Sequence, residues 1–255
     1  MRNILIIWRK ELKVYFVSPI AYHLLAFTAV VFGFFFTVAT AIFVSRGMQA
    51  MQMRSAMPMD VNEWIIRPLL MNISVIGLFV TPMIAMRLFS EEKFSGTIEL
   101  LLTSPVRDLE IIVGKWLGAL TLYAALLGAS ALNLGLLFLY GQPDWKPILV
   151  GYLGLLLQGG CLLAIGAFIS TTTRNQIVAA LITFDLCLLL WVFDWVSSYE
   201  AAGWARVMSY VSVLTHFEPF SKGVLDSKDV IYYLSMIFLG LFLTSRSLES
   251  LRWRA

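Results

Sequence analysis

The sequence has few charged residues and few of the side chains that enzymes use for chemistry. Charged residues make up 14% of its 255 positions, whereas soluble domains carry about a quarter. It has two histidines and two cysteines. Both cysteines lie in apolar runs, which predicts buried thiols and neither a disulfide framework nor a metal site. A net charge of +3, without a basic patch, argues against a partner of the nucleic-acid class.

The sequence also lacks the motifs of nucleotide hydrolysis and of common hydrolases. Gly114-Lys115 resembles the end of a phosphate-binding loop, but Leu109 stands at the first glycine position and Trp116 at the Ser/Thr position. Neither G-x-S-x-G nor H-E-x-x-H occurs. Glu91-Glu92 resembles an intramembrane protease motif, whose arginine would stand at Gly96. We therefore expect no enzyme activity on this chain.

Apolar residues are abundant, at 59% of the chain. They form six long runs, most of which approach the ~20 residues needed to cross ~30 Å of hydrocarbon. The pattern predicts an all-α integral membrane protein with one transmembrane domain over residues 1–255. We place the spans at residues 20–44, 68–86, 116–140, 148–169, 177–193 and 230–244, and expect the sixth to extend into its flanks.

The distribution of lysine and arginine predicts the orientation of the spans. With the N-terminus inside, twelve cations lie in inner segments and seven in outer segments. Because cytoplasmic loops carry the excess of Lys and Arg, both termini and residues 88–115 are expected to be cytoplasmic.

Three segments outside the spans have patterns of their own. Residues 1–19 place apolar side chains on one helix side and four cations on the adjoining side, which predicts an interfacial elbow helix in contact with lipid; a basic flank of a signal anchor is the alternative. Residues 45–67 fit a short interfacial helix or a flexible loop. The outer loop 194–229 contains the apolar stretch 207–214, which predicts a re-entrant segment shielded by protein.

The longest polar interruption near the middle of the chain is residues 88–115, the central segment. It contains five acidic and three basic residues. Ser95 and Gly96 are candidate N-caps of a short helix with Ile98, Leu101 and Leu102 on one face, which Pro105 would end. A charged loop with an amphipathic helix between spans favours docking to a soluble partner; a solvated loop is the alternative.

Polar residues inside the predicted spans are candidates for function because each is costly in lipid. Asp185 is the one acid well inside a span. It is a candidate intramembrane polar site, either for a transport relay, for contact with a wet cavity or for a bond between helices. Asn72, Asn133 and Gln158 are expected to bond between helices, and Gly159-Gly160 and Gly166 to allow close helix packing.

The central segment resembles the coupling segment of ABC-2 type transporter permeases, and both ends of the chain resemble the same family. The end of the sequence is most similar to the gliding-motility-associated and nitrous-oxide-cluster branches. The matching residues are Lys10-Glu11-Leu12, Tyr15-Phe16, Ser18-Pro19, Glu91-Glu92-Lys93, Gly96-Thr97-Ile98-Glu99-Leu100-Leu101, Ser104-Pro105, Gly114-Lys115, His216-Phe217, Phe220, Lys222-Gly223-Val224, Asp229-Val230 and Tyr232-Tyr233-Leu234.

The resemblance implies a permease subunit in a bacterial inner membrane, paired with a second permease chain and docked on a dimer of cytoplasmic ATPases. It implies no cofactor on this chain, since ATP and Mg²⁺ would bind the ATPase. The central segment would transmit ATPase closure to spans two and three, which would export a substrate or apply force to an auxiliary outer protein. The implied ATPase-facing residues are Glu91, Glu92, Gly96, Thr97 and Glu99.

Two other functions remain open at this stage. An ion-coupled secondary transporter would need coupling acids in the spans, for which Asp185 is the candidate. A scaffold that positions an outer partner would fit the gliding-motility branch. The sequence does not distinguish identical from non-identical permease partners, and it does not indicate the substrate.

Overall fold

The computed structural model describes residues 2–53, 60–103, 106–140, 143–199, 207–208 and 210–252, in which all regular structure is helical. A π-helical turn, Asn62–Ile66, precedes the third helix. The α-helices are α1 (Arg2–Val17), α2 (Pro19–Gln52), α3 (Arg67–Ala85), α4 (Ser90–Phe94), α5 (Ile98–Thr103), α6 (Asp108–Tyr140), α7 (Trp145–Thr172), α8 (Gln176–Tyr199), α9 (Val213–Ser221) and α10 (Ser227–Arg252).

Six of the described helices are long and apolar enough to cross a membrane, which confirms the predicted all-α membrane fold. They are α2, α3, α6, α7, α8 and α10. The sixth span extends well beyond residues 230–244, as expected.

The first span is longer than predicted, because α2 continues to Gln52. Residues 45–52 are therefore neither a separate interfacial helix nor a loop. Met, Gln and Ala favour helix, and they carry the helix past Ser45, Arg46 and Gly47. Residues 54–59 lie outside the described part of the chain.

Helix α7 lies at the centre of the bundle and packs against α3, α6, α8, α9 and α10. Its glycines allow close approach: a Cβ on Gly159 would lie 2.1 Å from the ring of Tyr123, and a Cβ on Gly166 would lie 2.4 Å from Ala85. The predicted close packing at these glycines is confirmed. The backbones of α7 and α10 also meet closely, since a Cβ on Gly240 would lie 2.8 Å from the carbonyl carbon of Ala164.

One polar pair joins α3 to α7 inside the bundle. The hydroxyl of Ser74 donates to Oε1 of Gln158 at 2.7 Å, and Nε2 of Gln158 donates to the Ser74 carbonyl at 3.3 Å. Both side chains are fully buried. Gln158 therefore bonds between helices, as predicted, and its amide is satisfied where no water could satisfy it.

Helix α9 begins near the end of the predicted re-entrant stretch 207–214. It packs against α3, α7 and α8, and Val213 and Phe217 are fully buried. Two tyrosines of α10 donate to its preceding carbonyls: Tyr232 to Val211 at 2.7 Å and Tyr233 to Val213 at 2.8 Å. Residues 212–214, at the end of the predicted stretch, are buried by protein, whereas Val207, Tyr210 and Val211 are exposed, so re-entry of the whole stretch stays a prediction.

Candidate functional site

Helix α1, helix α4, the first turns of α6 and the end of α7 lie together at one end of the bundle. We call this the α1 end, and we call the opposite end, where α9 lies, the α9 end. Helix α1 ends before Ser18, as predicted, and packs along α6. The indole of Trp8 donates to Thr121 at 2.9 Å, and Asn3 donates to Glu110 at 3.0 Å.

The start of α4 is fastened to the last turn of α7 through Ser170. The hydroxyl of Ser170 accepts from the backbone N–H groups of Phe89 at 3.0 Å and Ser90 at 2.9 Å, and it donates to the Met86 carbonyl at 3.1 Å. These two N–H groups would otherwise lack partners at the helix start. Lys93, later in α4, donates to the carbonyl of Thr171. The start of the central segment is therefore fixed in place. We call residues 87–93, which make these contacts and those described next, the base.

A buried lysine joins the central segment to α1. The ammonium of Lys115 lies 2.9 Å from Oε1 of Glu92 and 3.0 Å from Oε1 of Glu11, and its side chain is only 4% exposed. Oε2 of Glu92 is buried and has no hydrogen-bond partner among the described residues. Lys10 adds a more distant cation, 3.8 Å from Glu92. The cluster connects three helices, α1, α4 and α6.

Glu91 is held by an arginine from the turn that precedes α4. Arg87 donates to both carboxylate oxygens of Glu91, at 2.8 and 3.0 Å, in the bidentate geometry that fixes both side chains. The other guanidinium nitrogen of Arg87 lies 3.5 Å from the hydroxyl of Ser18, between α1 and α2. Two of the three glutamates predicted to face an ATPase, Glu91 and Glu92, are thus engaged in ion pairs within the chain.

Residues 94–100 project beyond this base, and we call them the tip. Gly96 has φ of 72°, in the left-handed region that favours glycine. The hydroxyls of Ser95 and Thr97 lie 2.8 Å apart, and both side chains are exposed. The exposed residues of the tip include three of those predicted from the sequence: Gly96, Thr97 and Glu99.

The tip also presents two large apolar side chains that the sequence reasoning missed. Phe94 is 79% exposed and Leu100 is 73% exposed. Their position in the sequence could have indicated this exposure, since both are apolar residues inside the most polar segment of the chain. The predicted short helix is present as α5. Its predicted terminator, Ser104-Pro105, lies outside the described residues.

Asp185 lies far from the tip, in the middle of α8, and its side chain is exposed on the single chain. It does not join the cluster at the α1 end. Within the described residues, no group of three or more His, Cys, Asp or Glu side chains has the arrangement of a metal site. Both cysteines are buried and free, as predicted.

The comparison with known families covers most of the chain. The family described as ABC-2 family transporter protein matches residues 5–237. No curated protein matches the sequence significantly. The matched region contains most of α1, the central segment and five complete spans, and it ends within the sixth. This chain is a multi-pass membrane protein that belongs to the ABC-2 family of transporters.

Proposed function

We propose that this chain is the permease subunit of an ATP-driven transporter and that the tip docks on a separate ATPase. The observation that carries the proposal is the contrast between base and tip. The base of the central segment is held by buried ion pairs and hydrogen bonds, whereas the tip exposes Phe94 and Leu100. Large apolar side chains exposed together on one surface are typical of sites that contact another protein.

The connections of the base indicate how movement of the tip would reach the spans. Ser170 and Lys93 connect α4 to the end of α7. Glu92 and Lys115 connect it to the start of α6, and Arg87 with Glu91 connects it to the end of α3. ATP binding to the partner would displace the tip and, through these contacts, three spans together. ATP and Mg²⁺ belong to the partner in this mechanism.

The positive-inside pattern supports a cytoplasmic location for the α1 end and both termini. The family resemblance implies the inner membrane of a bacterium. The permease works with a second permease chain, and helix α1 lies on the inner face of the membrane. Residues 216–234 are similar to the gliding-motility-associated and nitrous-oxide-cluster branches. This similarity favours an auxiliary outer protein, either as the cargo or as the partner on which force acts.

Affinity purification of the tagged full-length chain from its native membrane, followed by mass spectrometry, tests the docking. We expect a stoichiometric P-loop ATPase. Phe94→Ala and Leu100→Ala are expected to weaken its retention, each by about 2 kcal/mol or about thirtyfold in affinity. Leu109→Ala is the matched control, because Leu109 is 61% exposed at the start of α6 and outside the tip.

Two results would contradict the proposal. One is a folded wild-type chain that co-purifies with no ATPase. The other is an ATPase that the double tip variant retains as well as the Leu109→Ala variant does. Glu91→Lys with Glu92→Lys, a change at the base, is expected to release the ATPase as well, because it disorders the support of the tip.

The ion-coupled transporter is the second candidate, and Asp185 is the observation that favours it. If ions drive transport, then depletion of ATP at a constant ion gradient leaves transport intact and Asp185→Asn abolishes it. The ATP-driven mechanism predicts loss of transport on ATP depletion.

A further inference from the structure

Several polar side chains in the middle of the described spans point into the bundle and have partners. Ser74 and Gln158 are fully buried and bonded to each other. Thr81 and Thr183 are fully buried and donate to carbonyls of their own helices. Asp185 carries a carboxyl group, yet it lies on the outer surface of α8.

The surface around Asp185 is an apolar stripe along α8. It runs over about 27 Å, at 1.5 Å per residue, from the first turn of the helix towards its end. Every other large side chain exposed along it is hydrophobic: Ile177, Val178, Leu181, Ile182, Leu186, Leu189, Val192 and Trp195. A stripe of this kind faces lipid or another helix, and Asp185 interrupts it in the middle.

Lipid is the wrong environment for this stripe, because an aspartate side chain is rare and costly at the centre of a bilayer. Asp185 lies about 13 Å along α8, too deep to extend to the interface with its short side chain. The exposed faces of α2 and α10 show the contrast. Between residues 24 and 44 of α2 and between 230 and 244 of α10 there is no Asp, Glu, Lys or Arg.

We propose that α8 is the contact between two copies of this chain and that the two Asp185 side chains face one hydrated gap at the two-fold axis. This inference rests on the proposed pairing of permease chains. In a two-fold dimer each residue on the axis meets its own copy at the same depth. The middle of the described spans offers no lysine or arginine to pair with Asp185.

The consequence is a polar site in the path between the copies. Two facing carboxyl groups need hydrogen-bond partners that the apolar side chains around them do not provide. Water must therefore reach them, while the leucines and isoleucines above and below make the apolar contact. Two carboxyl groups line the gap, so it favours cargo with a cationic or hydrogen-bond-donating group over an anionic cargo.

Disulfide cross-linking tests the contact. Leu181→Cys and Leu189→Cys lie one turn before and after Asp185 on the stripe. Val30→Cys on α2 and Phe238→Cys on α10 are controls at mid-span, and both parent residues are more than 70% exposed. Cys161 and Cys187 are fully buried, so the wild-type chain gives the background. We expect covalent dimers from the two α8 variants and none from the controls.

Labelling tests the hydrated gap in the same membranes. Asp185→Cys is expected to react with a membrane-impermeant charged maleimide, and Phe238→Cys is expected not to react. Monomeric α8 variants, equal dimer yields at all four positions, or an unreactive Asp185→Cys would overturn the inference. The ATPase co-purification is a separate measurement. If no ATPase co-purifies but the α8 cross-links form, the proposed function alone is refuted. If the ATPase co-purifies but the α8 cross-links do not form, this inference alone is refuted.

Discussion

The ammonium of Lys115 lies 2.9 Å from the carboxylate of Glu92, so the first turns of α6 and the short helix α4 are joined by a buried ion pair. The two residues bracket the central segment. The two ends of the segment are therefore held together, and displacement of its tip is expected to act on both helices that carry them.

We predict that Lys115→Met destabilises the fold strongly. The change leaves Glu92 and Glu11 as buried carboxylates without their shared cation, a loss of about 3–5 kcal/mol. Thermal unfolding in detergent is the measurement. Lys10→Met is the matched control, because Lys10 approaches the same two carboxylates but is 58% exposed, and such pairs contribute at most about 1 kcal/mol. If Lys115→Met and Lys10→Met lowered the unfolding temperature equally, burial of Lys115 would not explain the stability that its ion pairs contribute.

We predict that Ser170→Ala loosens the attachment of α4. Two backbone N–H groups, of Phe89 and Ser90, lose their acceptor in a buried place, at a cost of about 1–3 kcal/mol each. Hydrogen exchange of α4 is expected to accelerate. Thr172→Ala serves as control, since the Thr172 hydroxyl bonds only to a carbonyl of its own helix. Unchanged exchange in Ser170→Ala would show that α4 is held by other contacts.

We predict that Gly96→Val distorts the tip. The left-handed backbone at Gly96 costs a side-chain-bearing residue about 1–2 kcal/mol, and a β-branched residue is the least tolerant. Because no atom lies near its Cβ position, the effect comes from the backbone alone. Retention of the ATPase is expected to fall for Gly96→Val and less for Gly96→Asn. Gly128→Ala, in the middle of α6 with open space around it, is expected to be harmless.

We predict an acid-sensitive contact at the α9 end. The ammonium of Lys222 and the guanidinium of Arg67 lower the pKa of Glu218 below its ordinary value of 4.5. A lowered pKa in the folded state stabilises the fold above pH 4.5, and this contribution is lost as the pH falls through the folded-state value.

Unfolding measured between pH 7 and pH 3 tests this contact. The slope of stability against pH is expected to become smaller in Glu218→Gln. Glu63→Gln is the control, because Glu63 has no ion pair among the described residues at the same end. An unchanged slope in Glu218→Gln would show that other titrating groups cause the acid sensitivity.

The spans could be predicted from the sequence because apolar length alone decides them. The roles of Gln158 and of the α7 glycines could also be predicted, since a polar residue in a span usually bonds to another helix and a small one allows close packing. The bidentate pair of Arg87 and Glu91 has the i, i+4 spacing of a helical ion pair, although the sequence analysis did not use it.

The partners of Glu92 and Ser170 could not be predicted. Lys115 and Glu11 reach Glu92 only through the packing of α1 on α6, and that packing depends on close approach at Gly118, where a Cβ would lie 2.8 Å from Glu11. The assignment of Glu91 and Glu92 to an ATPase-facing surface stays a prediction. The sequence also could not predict that Asp185 is exposed, because hydrophobic periodicity does not show which face of an apolar helix lacks a neighbouring helix.

The central position of α7 has a thermodynamic consequence for the whole transporter. Its last turn holds α4 through Ser170, and its first half packs on Phe220 of α9 at Gly154. The helix spans about 42 Å at 1.5 Å per residue. If a partner that binds the α9 end shifts α7, linkage requires the tip to change its affinity for the ATPase by the same factor that the ATPase imposes on that partner. A ligand confined to the outer surface would then be measurable as a change in ATPase binding across the membrane.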